Sequence, residues 1–262
     1  MTPLYFGSAE RRLFGVYTPP RVGGAARAVI LCYPWGQEYI RAHRSMRQLA
    51  NMLCGVGYHV LRFDYYGTGD SAGEPQDTDL HGWERDIETA IEELRDTSGA
   101  TRVALVGLRL GATLAARVTA RKKKEIDSLL LWDPVVSGPE YLRDMLATSA
   151  VGAGADENSP RQPLEDAGGY EISGFRLTAA LAEEFRAIDL PSQVPELPAR
   201  TRFISSAPLD SHNTLRMELD RLGRTDVATV SIDSLLAWRQ YRDLGAGAVP
   251  TKVLDAVVQW LR

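Results

Sequence analysis

A single α/β domain on a doubly wound, mostly parallel sheet is predicted by three features of this 262-residue sequence. Short apolar runs bounded by turn residues alternate with segments of helical period. Two runs, Ala28-Val29-Ile30-Leu31-Cys32-Tyr33 and Leu129-Leu130-Leu131-Trp132, are apolar throughout, as strands covered on both faces must be. Between them lies Val106-Gly107-Leu108-Arg109-Leu110-Gly111-Ala112, whose two glycines mark a sharp strand-to-helix turn with no room for a Cβ.

Residues 4–6 and 12–18 open the chain as an antiparallel hairpin, and 28–33 form the first buried strand. Met46, Leu49, Leu53 and Val56 recur at helical spacing, Gly55 and Gly57 end the pattern, and 58–63 return to strand. This is a βαβ unit, right-handed by default. Trp83, Ile87, Ala90, Ile91 and Leu94 mark a second helix, 102–106 a strand, 112–120 a third helix and 129–132 another strand. From Ser137 to about Arg200 the rhythm breaks, with Gly152-Ala153-Gly154, Pro160, Pro163 and Gly168-Gly169, then Leu177, Leu181 and Phe185 at helical spacing, then Pro191, Pro195 and Pro198. A departure of that length reads as a lid or binding element, so residues 1–136 and 201–262 are assigned to the core and 137–200 to a lid insertion. The core resumes with strand 201–206, helix 215–222, strand 227–232 and closing helix 253–261.

Composition, at 44% hydrophobic and 24% charged residues, provides for a sizeable core, and a net charge of −4 gives no electrostatic reason to expect a nucleic-acid partner. The basic run Arg121-Lys122-Lys123-Lys124 follows a helix, where cations complement the helix dipole. The first residues lack the pattern of a secretory leader, and no window reaches the ~18 apolar residues of a membrane span. The expectation is a cytoplasmic chain without membrane contact. Two cysteines, Cys32 and Cys54, read as reduced, buried thiols. No motif suggests a metal or nucleotide, and no cofactor is expected: Gly67-Thr68-Gly69 lacks the Walker lysine and the dinucleotide context.

Three stretches carry a resemblance to a known family: Tyr33-Pro34-Trp35-Gly36, Arg62-Phe63-Asp64-Tyr65-Tyr66-Gly67-Thr68-Gly69-Asp70-Ser71, and the turn at 107–111. The chain resembles the α/β-hydrolase superfamily. It is most similar to the serine-aminopeptidase or monoglyceride-lipase type, and in particular to divergent hydrolase-like proteins associated with exosortase systems and biosynthetic clusters. The resemblance implies an α/β-hydrolase fold with an oxyanion hole built from the Leu110 N–H and that of Trp35 or Gly36. It also implies a nucleophilic serine at the turn, then an acid, then a histidine after the last strand. Here the serine is Arg109, and the stretch Ser231–Val249 holds no histidine, with Trp238, Arg239 and Tyr241 in its place. For the acid position Asp210 and Asp133 both qualify, and Asp133 also reads as the carboxylate that neutralises Arg109.

Of the four histidines, His43, His59, His81 and His212, only His212 falls at the carboxyl edge of the sheet, which makes it a candidate base. Glu38 is a second candidate, its alternative being a carboxylate stabilised at a helix N-terminus. Together, Arg109, Glu38 and His212 are the candidate catalytic residues, and Trp35, Gly36, Leu110, Asp133, Asp210 and Trp238 the candidate oxyanion or substrate-binding ones. Three readings follow, in order of preference. The first is a non-hydrolytic enzyme of epimerase, isomerase, cyclase or lyase type in specialised metabolism, stabilising an oxyanion or enolate of a small-molecule or peptide substrate. The second is a pseudohydrolase that binds a ligand or protein, and the third a hydrolase with a displaced nucleophile such as Ser205, Ser206 or Cys32.

Overall fold

The computed structural model describes residues 1–23, 27–152, 169–198, 200–206, 209–223, 228–232, 234–239 and 248–262. Thr2–Gly7 (β1) and Arg12–Thr18 (β2) pair antiparallel, the expected opening hairpin, and β2 runs antiparallel to His59–Phe63 (β4). The remaining pairings are parallel and join β4 to Arg27–Cys32 (β3), then Arg102–Leu108 (β5), Ile126–Trp132 (β6), Thr201–Ser205 (β9) and Ala228–Ser231 (β10). The strand order is β1-β2-β4-β3-β5-β6-β9-β10, the α/β-hydrolase architecture the sequence predicts. β3, β5 and β6 lie inside the sheet, which is why their runs are apolar on both faces.

Helices Gln37–Gly55 (α1), Leu80–Ser98 (α2), Leu110–Arg121 (α3), Asp210–Arg221 (α6) and Thr251–Leu261 (α7) follow the strands. Each turns an apolar stripe inward. Met46, Leu49 and Leu53 do so on α1, and Trp83, Ile87, Ile91 and Leu94 on α2. Asp79 caps α2 by accepting the Gly82 N–H at 2.6 Å, and left-handed Gly99 closes it.

The segment between β6 and β9 carries Gly138–Gly152 (α4), a hairpin of Tyr170–Ile172 (β7) and Phe175–Leu177 (β8), and Ala179–Arg186 (α5). Leu177 lies on β8 rather than on the helix its spacing suggests, because Thr178 caps α5 through the Leu181 N–H at 3.1 Å. Leu181 and Phe185 are buried together on α5 as expected. Residues 153–168, with Pro160, Pro163 and Gly168, and residues 240–247, with Tyr241, lie outside the described residues. Among the described residues no helix is long and apolar enough to cross a membrane.

The β5–α3 turn is as tight as its glycines require. A Cβ on Gly111 would stand 2.3 Å from the carbonyl oxygens of Cys32 and Tyr33, and one on Gly107 2.3 Å from the Ala112 Cα. Arg109, at the apex, is held at φ 53° and ψ −122°, a conformation that non-glycine residues adopt only under constraint.

Candidate active-site remnant

Every parallel strand delivers its carboxyl end to one edge, so Gly36, Arg109, Asp133, Ser206 and Trp238 arrive there from five different strands. Arg109 is 4% exposed. Its Nε–H donates to Glu38 Oε1 at 2.9 Å and its Nη1–H to the Asp133 carbonyl at 3.2 Å. The guanidinium carbon stands 4.1 Å from the centre of the Trp238 ring and 5.4 Å from that of Tyr141. Tyr141, from α4, also donates its hydroxyl to Glu38 Oε2 at 3.1 Å.

The carboxylate that neutralises Arg109 is therefore Glu38, which corrects the expectation that Asp133 does so. Glu38 sits in the first turn of α1, close enough to the edge to reach across to the apex of the turn. Asp133 adopts φ 42°, offers Arg109 its carbonyl, and sends its carboxylate elsewhere. Burial pushes the Glu38 carboxyl above its ordinary pKa, with Arg109 and Tyr141 opposing that shift only in part. Burial works against the charged guanidinium as well, yet Glu38 and Tyr141 beside it hold Arg109 above the usual arginine value.

The Asp133 carboxylate is fully buried and accepts three hydrogen bonds. The Ser206 N–H reaches Oδ1 at 2.6 Å, the Ser206 hydroxyl donates to Oδ2, and the Trp238 Nε1–H donates to Oδ2 at 2.9 Å. In a serine hydrolase the histidine bridges nucleophile and acid, donating one N–H to the carboxylate. Trp238, from the loop where the resemblance expects that histidine, makes the same bridge with an indole. Its N–H holds the acid and its ring face covers the residue at the nucleophile position. Trp238→Phe keeps the ring and deletes the N–H, so it is expected to cost about 1–3 kcal/mol by leaving part of a buried carboxylate unsatisfied. Thermal unfolding measures this, and a variant as stable as the parent would show that the bond carries no weight.

The other expected residues are distributed differently. His212 is 1% exposed, with Nδ1 2.8 Å from Ser205 Oγ and Nε2 3.2 Å from the Pro134 carbonyl, so it ties β9, α6 and the end of β6 together rather than facing Arg109. Asp210 is exposed at the start of α6 and makes no hydrogen bond or ion pair with Arg109, although both line a cleft of about 220 Å³ with Tyr141 and Ser137. Trp35, Gly36 and Leu110 stand where the oxyanion hole is expected, with Gly36 and Leu110 at the starts of α1 and α3, where N–H groups lack intrahelical partners. Of the displaced nucleophiles, Ser206 is engaged by Asp133 and Trp132, and Ser205 by His212. Cys32 is fully buried, and that burial pushes its thiol far up.

A second cleft, of about 480 Å³, has a lining that includes Trp35, Gly36, Tyr39, Ile40 and Phe175 but not Arg109, Asp133 or Trp238. Sequence reasoning missed Tyr141, since it treated residues 137–200 as one irregular insertion. The helical spacing of Tyr141, Leu142 and Met145 was the available signal.

Comparison with known proteins agrees with the architecture. The family described as serine aminopeptidase, S33 matches residues 26–159, half of the chain. Human protein ABHD12B is 36% identical over 108 residues, covering 40% of this chain and 29% of that protein. Lysophosphatidylserine lipase ABHD12 of Xenopus tropicalis is 32% identical over 108 residues, covering 40% of this chain and 27% of that protein. The chain thus matches less than a third of either relative's length. The solved structure of Est1E from Butyrivibrio proteoclasticus with ferulic acid superposes with a TM-score of 0.70 at 16% identity, covering 98% of this chain and 97% of that one.

Proposed function

The chain belongs to the serine aminopeptidase S33 family, and from that membership we propose that it is a non-hydrolysing member, a ligand-binding protein on a hydrolase scaffold. The observation that carries this reading is the bridge Arg109–Trp238–Asp133, in which the nucleophile position holds a guanidinium that cannot attack a carbonyl and the base position an indole that cannot take up a proton. A guanidinium is not a nucleophile, and an indole N–H only donates.

This reading is the second of the three drawn from the sequence, and the state of the guanidinium is the reason for preferring it. Stabilising an enolate with Arg109 requires a cation that meets the ligand. Glu38 already neutralises this one, and Trp238 covers a face of it. An isomerase or lyase keeps one specific support: Arg109 and Tyr141 also line the cleft of about 220 Å³. Exchange of α-protons in carbonyl compounds incubated with the protein in deuterated water would favour that alternative.

The test is direct. With a fluorophosphonate probe and p-nitrophenyl esters of short and long acyl chains, the expected result is no covalent adduct by mass spectrometry and no turnover above the buffer rate. A stoichiometric adduct on any serine, Ser205 included, overturns the proposal.

A further inference from the structure

The cleft of about 480 Å³ falls within the range of small-molecule sites, ~300–1,000 Å³, and is set apart from the triad positions. Four separate segments build it. The loop after β3 contributes Trp35, the first turn of α1 contributes Tyr39 and Ile40, the loop after β4 contributes the glycine-rich stretch from Gly67 to Thr78, and hairpin β7–β8 contributes Phe175 and Arg176. The hairpin is fastened in place: the Gln37 side-chain amide donates to the Ser173 carbonyl at 2.8 Å, and Phe175 packs edge-on against Trp35 at 5.9 Å between ring centres.

Two features of this cleft are unexplained by the packing of the protein itself. Ile40 is 53% exposed at its wall, and large aliphatic side chains lining a concave surface suit an apolar occupant. Arg176 is exposed at the same cleft and has no ion-pair partner among the described residues. The nearby acid, Glu74, uses its carboxylate to cap the short helical turn at Pro75–Asp77.

We propose that this cleft binds an organic carboxylate with an apolar body, the body lying against Trp35, Tyr39, Ile40 and Phe175 and the carboxylate meeting Arg176. The assignment rests on the reading that the chain binds a ligand without hydrolysing it. It adds where the ligand sits and which chemistry recognises it. The apolar walls supply affinity through burial, and a guanidinium supplies discrimination because it pairs a carboxylate in a planar, two-point fashion.

The experiment is calorimetric titration of the full chain with decanoate and, separately, with 1-decanol. Decanoate is expected to bind, Arg176→Gln to weaken it about tenfold while leaving 1-decanol unchanged, and Ile40→Asp to weaken both. Both substitutions are at exposed positions, so circular dichroism should show folded variants. Absence of decanoate binding, or binding that Arg176→Gln and Ile40→Asp leave unaltered, overturns the assignment. Turnover of p-nitrophenyl decanoate with Arg176-dependent decanoate binding intact would instead overturn the non-hydrolysing reading and leave the cleft assigned.

Discussion

Placing serine and histidine together, in the triple variant E38Q/R109S/W238H, is expected to give fluorophosphonate labelling at position 109 far faster than R109S alone shows. The scaffold already holds what the other two groups need. The turn at 107–111 has the tight geometry of a nucleophile elbow, and Asp133 already accepts an N–H from position 238 at 2.9 Å. What R109S lacks is a base, since no histidine occupies the loop after β10. A positioned general base contributes about 10²–10⁴-fold, and labelling of the triple variant should exceed that of R109S by about that range. Glu38→Gln belongs in the design because a buried carboxylate beside a new serine would oppose the negative charge of the adduct. Equal labelling of R109S and the triple variant would mean that the base comes from somewhere other than position 238.

The second large effect is on stability. Arg109 and Glu38 are a buried pair, with side chains 5% and 12% exposed. Removing one partner of such a pair costs about 3–5 kcal/mol, and for a chain of this size R109M should lower Tm by roughly 10 °C. The double variant E38L/R109M is expected to recover most of that loss, because neither charge is then stranded. The pH dependence separates this account from lost packing. Without Arg109, burial is opposed only by Tyr141 and Arg41, and the folded-state pKa of Glu38 rises further above the unfolded value. Its stabilising contribution is then present below the unfolded pKa and is lost as pH rises through the folded one. R109M should therefore regain stability relative to the parent as pH falls through the raised folded-state pKa of Glu38 toward the ordinary carboxylate value, and E38L/R109M should not. A deficit in R109M that is flat with pH would assign the loss to packing.

The strands, the crossover helices and the turn were legible because local periodicity and two glycines encode them. β3, β5 and β6 read as buried from their composition alone. The wiring of the site was not legible in the same way. Glu38 and Arg109 are 71 positions apart, and their contact depends on how far the first turn of α1 projects over the edge. Asp133 looked like the counter-ion from its place at the end of β6, but a positive φ, which spacing does not reveal, swaps the directions of its carbonyl and carboxylate. Trp238 could be named as standing in the histidine's stretch, whereas its donation to Asp133 required coordinates. Ser206 reads in sequence as a spare nucleophile and in the fold as a ligand of Asp133.

The Glu38–Arg109 pair also limits which single changes the chain tolerates. Exchanging Arg109 for serine in one step would strand a buried carboxylate, and exchanging Glu38 alone would strand a buried guanidinium. Each single step passes through a less stable protein, whereas exchanging both together leaves neither charge stranded. The pair thus acts as a ratchet that holds both positions against stepwise change.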